Sequence, residues 1–75
     1  MEIYPAIDNP IIKDHSDFIR LREEVLAVEP QLREMYLYKN RIVIVNIAKR
    51  SFMYPRKPTI EWVIDRVKEM KQKEL

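Results

Sequence analysis

Glycine does not occur in this chain. Phosphate-cradling loops and dinucleotide fingerprints need glycine where the backbone approaches a phosphate or turns through positive φ, so both are excluded. Cysteine is absent as well. That removes disulfide frameworks, zinc knuckles, iron–sulfur clusters and thiol catalysis. Long apolar runs are also missing. The longest aliphatic stretch, Ile42 to Val45, is far short of the roughly 20 residues that span a bilayer. The opening Met1-Glu2-Ile3-Tyr4-Pro5 has neither the basic nor the apolar segment of a signal peptide. A cytoplasmic protein without membrane association is expected.

What is present fits a single folded domain, residues 1–75. With 75 residues there is room for one core only. The apolar fraction is 47%, ordinary for a globular protein. Glu, Lys and Arg are abundant, Gln is scarce, and Ile and Val dominate the apolar positions. That balance is found in hyperthermophile proteins. Turns must rest on Asn, Asp and the five prolines.

Residues 1–13 are broken by Pro5 and Pro10, which forbid a helix there. They read as an extended N-terminal arm whose first residues, 1–4, can form an edge strand. Asp14 or Ser16 can cap a helix, with Asp17 in its first turn. Phe18, Leu21, Val25 and Val28 recur at helical spacing, widened by Ile19 and Leu26, which predicts an amphipathic helix over about 16–29 that Pro30 stops. Residues 31–38 are open to two readings, a short helix begun by Pro30 or a strand through Met35-Tyr36-Leu37-Tyr38. The strand reading pairs with Ile42–Ile47 around Lys39-Asn40 and gives a hairpin over about 34–48, with Asn in the left-handed conformation such turns favour. Consecutive apolar residues in 42–47 predict a central strand covered on both faces. Thr59 caps a second helix, about 59–73, with the stripe Ile60, Val63, Ile64, Val67 and Met70. The expected fold is α+β: a small antiparallel sheet packed against two amphipathic helices. A hairpin alone is too small to be stable, so a third strand is expected from 1–4 or 51–54, or from a second subunit.

The net charge of +2 hides an asymmetry. Residues 1–38 carry four basic and eight acidic side chains, residues 39–75 ten and four, so the halves stand at −4 and +6. Six basic residues and no acidic one lie between Lys39 and Pro58. The segment Lys49-Arg50-Ser51-Phe52-Met53-Tyr54-Pro55-Arg56-Lys57 combines cations that can meet phosphates with rings that can stack on bases. Lys39 and Arg41 at the hairpin turn add charge. The candidate nucleic-acid contacts are therefore Lys39, Arg41, Lys49, Arg50, Phe52, Tyr54, Arg56 and Lys57. The alternative is that Phe52 and Tyr54, two apart on a strand, turn into the core together.

Trp62 is the other candidate. It stands about 140° from the centre of the second helix's apolar stripe, beside Asp65, Arg66 and Glu69. With Arg66 it marks a protein-interaction site; otherwise the N-terminal arm, through Tyr4 or Ile11-Ile12, folds over it. His15, Ser16 and Asp17 are adjacent in sequence and do not converge as a triad would. Asp8, Asp14 and Asp17 lack the spacing of a calcium loop. No catalytic residue, metal, cofactor or small-molecule substrate is expected. The chain reads as a non-enzymatic binding module, either a protein-interaction or self-associating regulatory protein, with homodimerisation as the simplest assembly, or a nucleic-acid-binding protein using residues 49–57.

Overall fold

Alternation decides the sheet. Along 34–38, Met35 and Leu37 are fully buried, whereas Glu34, Tyr36 and Tyr38 point the other way. That is the period of two of a strand with one core face. The computed structural model describes residues 1–73. Its elements are β1 (Glu2–Pro5), α1 (His15–Val28), β2 (Glu34–Leu37), β3 (Arg41–Val45), β4 (Lys49–Met53) and α2 (Ile60–Lys73). The four strands form one sheet in the order β1-β2-β3-β4.

The fold is α+β, but its sheet has four strands, because both 1–4 and 51–54 contribute one. It is also mixed rather than antiparallel. β1 runs parallel to β2, with Ile3 opposite Met35 and Tyr4 opposite Tyr36. A parallel neighbour requires a crossover, and α1 supplies it. β2, β3 and β4 form an antiparallel meander.

One boundary and one turn conformation differ from expectation. β3 ends at Val45, and Asn46, Ile47 and Ala48 form the turn into β4, held by Asn46 N–H donating to the Ala48 carbonyl at 3.0 Å. Ile47 is accordingly 83% exposed. The Lys39-Asn40 turn is closed by Tyr38 N–H donating to the Arg41 carbonyl at 2.9 Å, yet no described residue has positive φ. Asn40 is therefore not left-handed. A chain without glycine builds its turns entirely from ordinary backbone conformations.

Both helices lie on one face of the sheet. Leu21 and Val25 of α1 and Ile60, Val63, Val67 and Met70 of α2 are buried against Ile3, Met35, Leu37, Ile42 and Ile44. Ile19, expected on the apolar stripe, is 42% exposed. Arg20 links the helices by pairing with Glu61, and Lys71 donates to the Val28 carbonyl at 2.7 Å, satisfying the end of α1. Hydrogen bonds from its own backbone N–H and from Arg20 hold the Glu61 carboxyl below the usual range.

Asn9 organises the connector after β1. Its side-chain oxygen accepts from Ile11 N–H at 3.0 Å and Ile12 N–H at 2.7 Å, and its amide donates to the Ala6 carbonyl at 2.6 Å. This side-chain-stabilised turn carries Ile11 into the core. At the start of α1, Asp14 accepts from Asp17 N–H at 2.9 Å, and Asp17 in turn accepts from Lys13 N–H at 3.0 Å. Replacing Asp14 with alanine leaves one of these donors without its protein partner. A loss of about 1 kcal/mol is expected, read as a lower urea midpoint at unchanged slope.

Candidate functional site

Among the described residues, no element covers the face of the sheet turned away from the helices. The registers place its side chains in three rows across the strands. The first row is Glu2, Glu34, Val45 and Lys49. The second is Tyr4, Tyr36, Val43 and Ser51. Tyr38, Arg41 and Met53 make the third, at the Lys39-Asn40 turn. Val43 is only 4% exposed here, so neighbouring side chains, not a second layer, shelter it. The expected cover on both faces of β3 is thus a helix layer on one side and long side chains on the other.

Three tyrosines dominate this face. The Tyr4 and Tyr36 rings stack at 4.9 Å between centroids and 17° between planes, and Tyr36 and Tyr38 lie nearly parallel at 6.2 Å. The Arg41 guanidinium sits over the Tyr38 ring at 4.6 Å. The result is a ladder from β1 across β2 to β3, in which each ring is held by its neighbours. Its outer members stay accessible, Tyr4 at 47% and Tyr38 at 37%, and Met53 on the same face is 67% exposed.

Tyr36 also donates its hydroxyl to Glu34. Chiefly through that bond, then through desolvation and the Glu34 charge, its hydroxyl is pushed up to about 12 from an ordinary 10.0. Burial raises Tyr54 to about 12 as well. The folded state therefore keeps these protons where the unfolded chain has lost them. Their contribution is complete below pH 10 and is lost as the pH rises from the unfolded value of 10.0 through about 12. Stability should fall across that window, and Tyr36→Phe and Tyr54→Phe should each flatten the fall and remove a phenolate absorbance step near 12. A stability curve identical in parent and variants across the window would contradict this.

No protein-family model matches this chain, and no curated protein or solved structure matches it either. The site is therefore read from its own residues.

Among the residues singled out from sequence, Arg41 and Lys49 lie on the tyrosine face, at opposite ends of it. Arg50 and Phe52 lie on the helix side, opposite Ile44 and Ile42 in the register. Phe52 and Tyr54 both pack against the core. Lys39, Tyr54 and Arg56 come together at a shallow cleft of about 360 Å³, also lined by Pro10, Asn40 and Pro58. Lys57 is exposed on the connector beyond it. The six cations between Lys39 and Pro58 are thus divided among the tyrosine face, the helix side, the cleft and the connector, and do not form one continuous patch.

Trp62 is half-buried. The Tyr54 ring meets it edge-on at 5.7 Å, and the Arg66 guanidinium lies 5.6 Å from its ring centre. Tyr54, in the segment after β4, covers the indole on one side, and Tyr4 does not, since it stands on the opposite face of the sheet. Among the described residues no cluster of acids and histidines could hold a metal, and no helix is long and apolar enough to cross a membrane.

Sequence reasoning missed the tyrosine face because its members come from segments read separately, Tyr4 from an arm and Tyr36 from an ambiguous stretch. The available signal was the alternation of Met35 and Leu37 with Tyr36 and Tyr38. It names the ring-bearing side once 34–38 is taken as a strand.

Proposed function

We propose that this chain is a small, non-enzymatic, intracellular protein-interaction module that binds its partner through the open face of its sheet. The observation carrying this is the ladder Tyr4-Tyr36-Tyr38-Arg41 beside exposed Met53, on a face no element covers. Tyr, Met and Arg are the residues enriched where proteins meet. The rings are already ordered by one another, so binding loses little side-chain entropy. They make their ring contacts mainly with each other, which suits an apolar protein surface better than the insertion of bases. Glu2 and Glu34 on the same face also disfavour a phosphate backbone.

The test places a photo-crosslinking residue at Ser51, in the central row of the face, and in a second variant at Glu23, an exposed position on α1. Crosslinked product from position 51 and none from position 23 is expected. Tyr36→Ala should weaken the captured interaction by about 1–3 kcal/mol. Absence of product at 51 under conditions where the protein is folded and concentrated would overturn the reading.

Nucleic-acid binding is the second reading. It draws on the cleft, where Lys39 from the hairpin turn and Arg56 from the connector meet. Phosphate-driven affinity falls steeply with salt. Replacing Lys39 and Arg56 together with Gln should lower the salt slope for mixed-sequence DNA or RNA by about 2. Binding that ignores salt, or the absence of binding at low salt, removes this reading.

A further inference from the structure

We infer that the open face is self-complementary and that its occupant is a second copy of this chain, related by a twofold axis lying along the strands between β2 and β3. This rests on the proposed docking role of the face. Charge complementarity supplies the partner. The acids of the face, Glu2 and Glu34, stand on β1 and β2, and its cations, Arg41 and Lys49, stand on β3 and β4. Such a twofold lays β1 over the partner's β4 and β2 over the partner's β3, while keeping each row at its own height. Glu2 then meets the partner's Lys49 in the first row. In the second row Tyr36 meets the partner's Val43. In the third, Tyr38 meets the partner's Arg41, and exposed Met53 meets the end of β1, where Ala6 and exposed Ile7 follow. Every contact occurs twice, as a closed twofold requires.

The other in-plane twofold, perpendicular to the strands, sets the first row over the third. Lys49 then faces Met53, Glu34 faces Tyr38, and no opposite charges meet. Face-to-face sheets pack with strands within about 30° of one another, which both twofolds satisfy, so the charges decide between them. Pairing through the free edge of β4 is opposed by Lys49 and Arg50 on that strand, since edge cations resist strand addition. At about 4.8 Å per strand and 3.4 Å per residue the face covers roughly 19 by 17 Å. That footprint, about 320 Å² a side, is below the size of stable specific interfaces, so a weak dimer that fills only at high micromolar protein is expected.

Glu2 and Lys49 make an unusually clean test. Both are exposed, and neither takes part in the ion pairs found among the described residues. Within one molecule they sit on opposite edge strands, about 14 Å apart at three strand spacings, beyond the screening length of about 8 Å at physiological salt. Any energetic coupling between them must therefore act between copies.

Sedimentation equilibrium on the full chain should show a mass of twice 9.2 kDa at high micromolar protein. Glu2→Lys and Lys49→Glu should each raise the dimer dissociation constant about tenfold, and the double exchange should restore it. Thermal melts at dilute protein, where the chain is monomeric, check that all three variants fold alike. A dimer indifferent to both reversals, or single-variant losses that add in the double variant, would overturn this arrangement. A monomer up to millimolar concentration would overturn it too. If that monomer still gives a crosslinked product at position 51 with a different protein, self-pairing fails while the docking role of the face survives. If position 51 gives no product at all, both fail.

Discussion

Ile44→Ala should cost about 2–4 kcal/mol of folding free energy, more than any other prediction made for a strand residue. Ile44 has no exposed surface and sits on β3, between β2 and β4, with Met35 as its register partner. On its helix side the layer above is built from Leu21, Val25, Val63 and Val67, all fully buried. Truncation there removes three carbons from contact and leaves a void that neighbouring backbone, fixed in a ladder on both sides, cannot close. A 75-residue domain is expected to hold roughly 4–11 kcal/mol in total, so the loss is a large share. It should appear as a melting temperature lower by about 10–25 °C.

Val43→Ala is the control. Val43 is nearly as buried, at 4%, but its shelter is made of Tyr36 and the side chains around it on the uncovered face. Water can reach the space left behind, so the cavity contribution is small and a loss of about 1–1.5 kcal/mol is expected. Chemical denaturation of both variants should therefore rank them, with the Ile44 variant clearly weaker. Equal losses would mean that both faces of β3 are packed alike, against the architecture described above. Slow amide exchange in Arg41–Val45, and faster exchange in the turn at Asn46, Ile47 and Ala48, should accompany the ranking.

The helices were legible in the sequence because their information is local. Caps at Asp14 and Thr59, stripes at three- and four-residue spacing and a stop at Pro30 place both within a residue or two of where they stand. β3 was legible for a similar reason: its β-branched run has few other homes. What local pattern does not carry is pairing. Nothing near Glu2–Pro5 states that its partner lies more than thirty positions away at Glu34–Leu37, or that the two run parallel. That pairing is specified by α1, whose length returns the chain to the same end of the sheet. Once β1 is placed, Tyr4 leaves the arm and joins Tyr36, and a face appears that no single segment contains.

The basic segment shows the converse. Its six cations are close in sequence and suggest one patch. A strand sends alternate side chains to opposite faces, so Lys49 and Arg50 part company at once, and a five-residue strand, Lys49–Met53, separates them from Arg56 and Lys57. Charge density along a sequence becomes charge density in space only where the backbone does not divide it.

Trp62→Ala is expected to act on stability and not on partner binding. The indole stands off the centre of the apolar stripe of α2, which by position alone fits either a ring free for recognition or one covered by another segment. In the fold it meets the Tyr54 ring edge-on at 5.7 Å and carries the Arg66 guanidinium at 5.6 Å. It therefore closes the end of the core beneath the β4–α2 connector, joining Tyr54 to the helix that follows. A fully buried Trp lost to alanine costs about 3–5 kcal/mol. Trp62 is half-buried, and edge-on ring contacts add about 0.5–1.5 kcal/mol beyond area, so about 2–3 kcal/mol is expected here. Tyr54→Phe keeps the ring contact and should cost much less than Trp62→Ala, and Arg66→Ala should cost less than about 1 kcal/mol because its pairing with Glu69 is near solvent. The open face lies on the other side of the sheet. Crosslinking from position 51 at a temperature well below the variant's melting point should be unchanged. A Trp62→Ala protein that melts like the parent but no longer captures its partner would move the interaction site from the tyrosine face to α2.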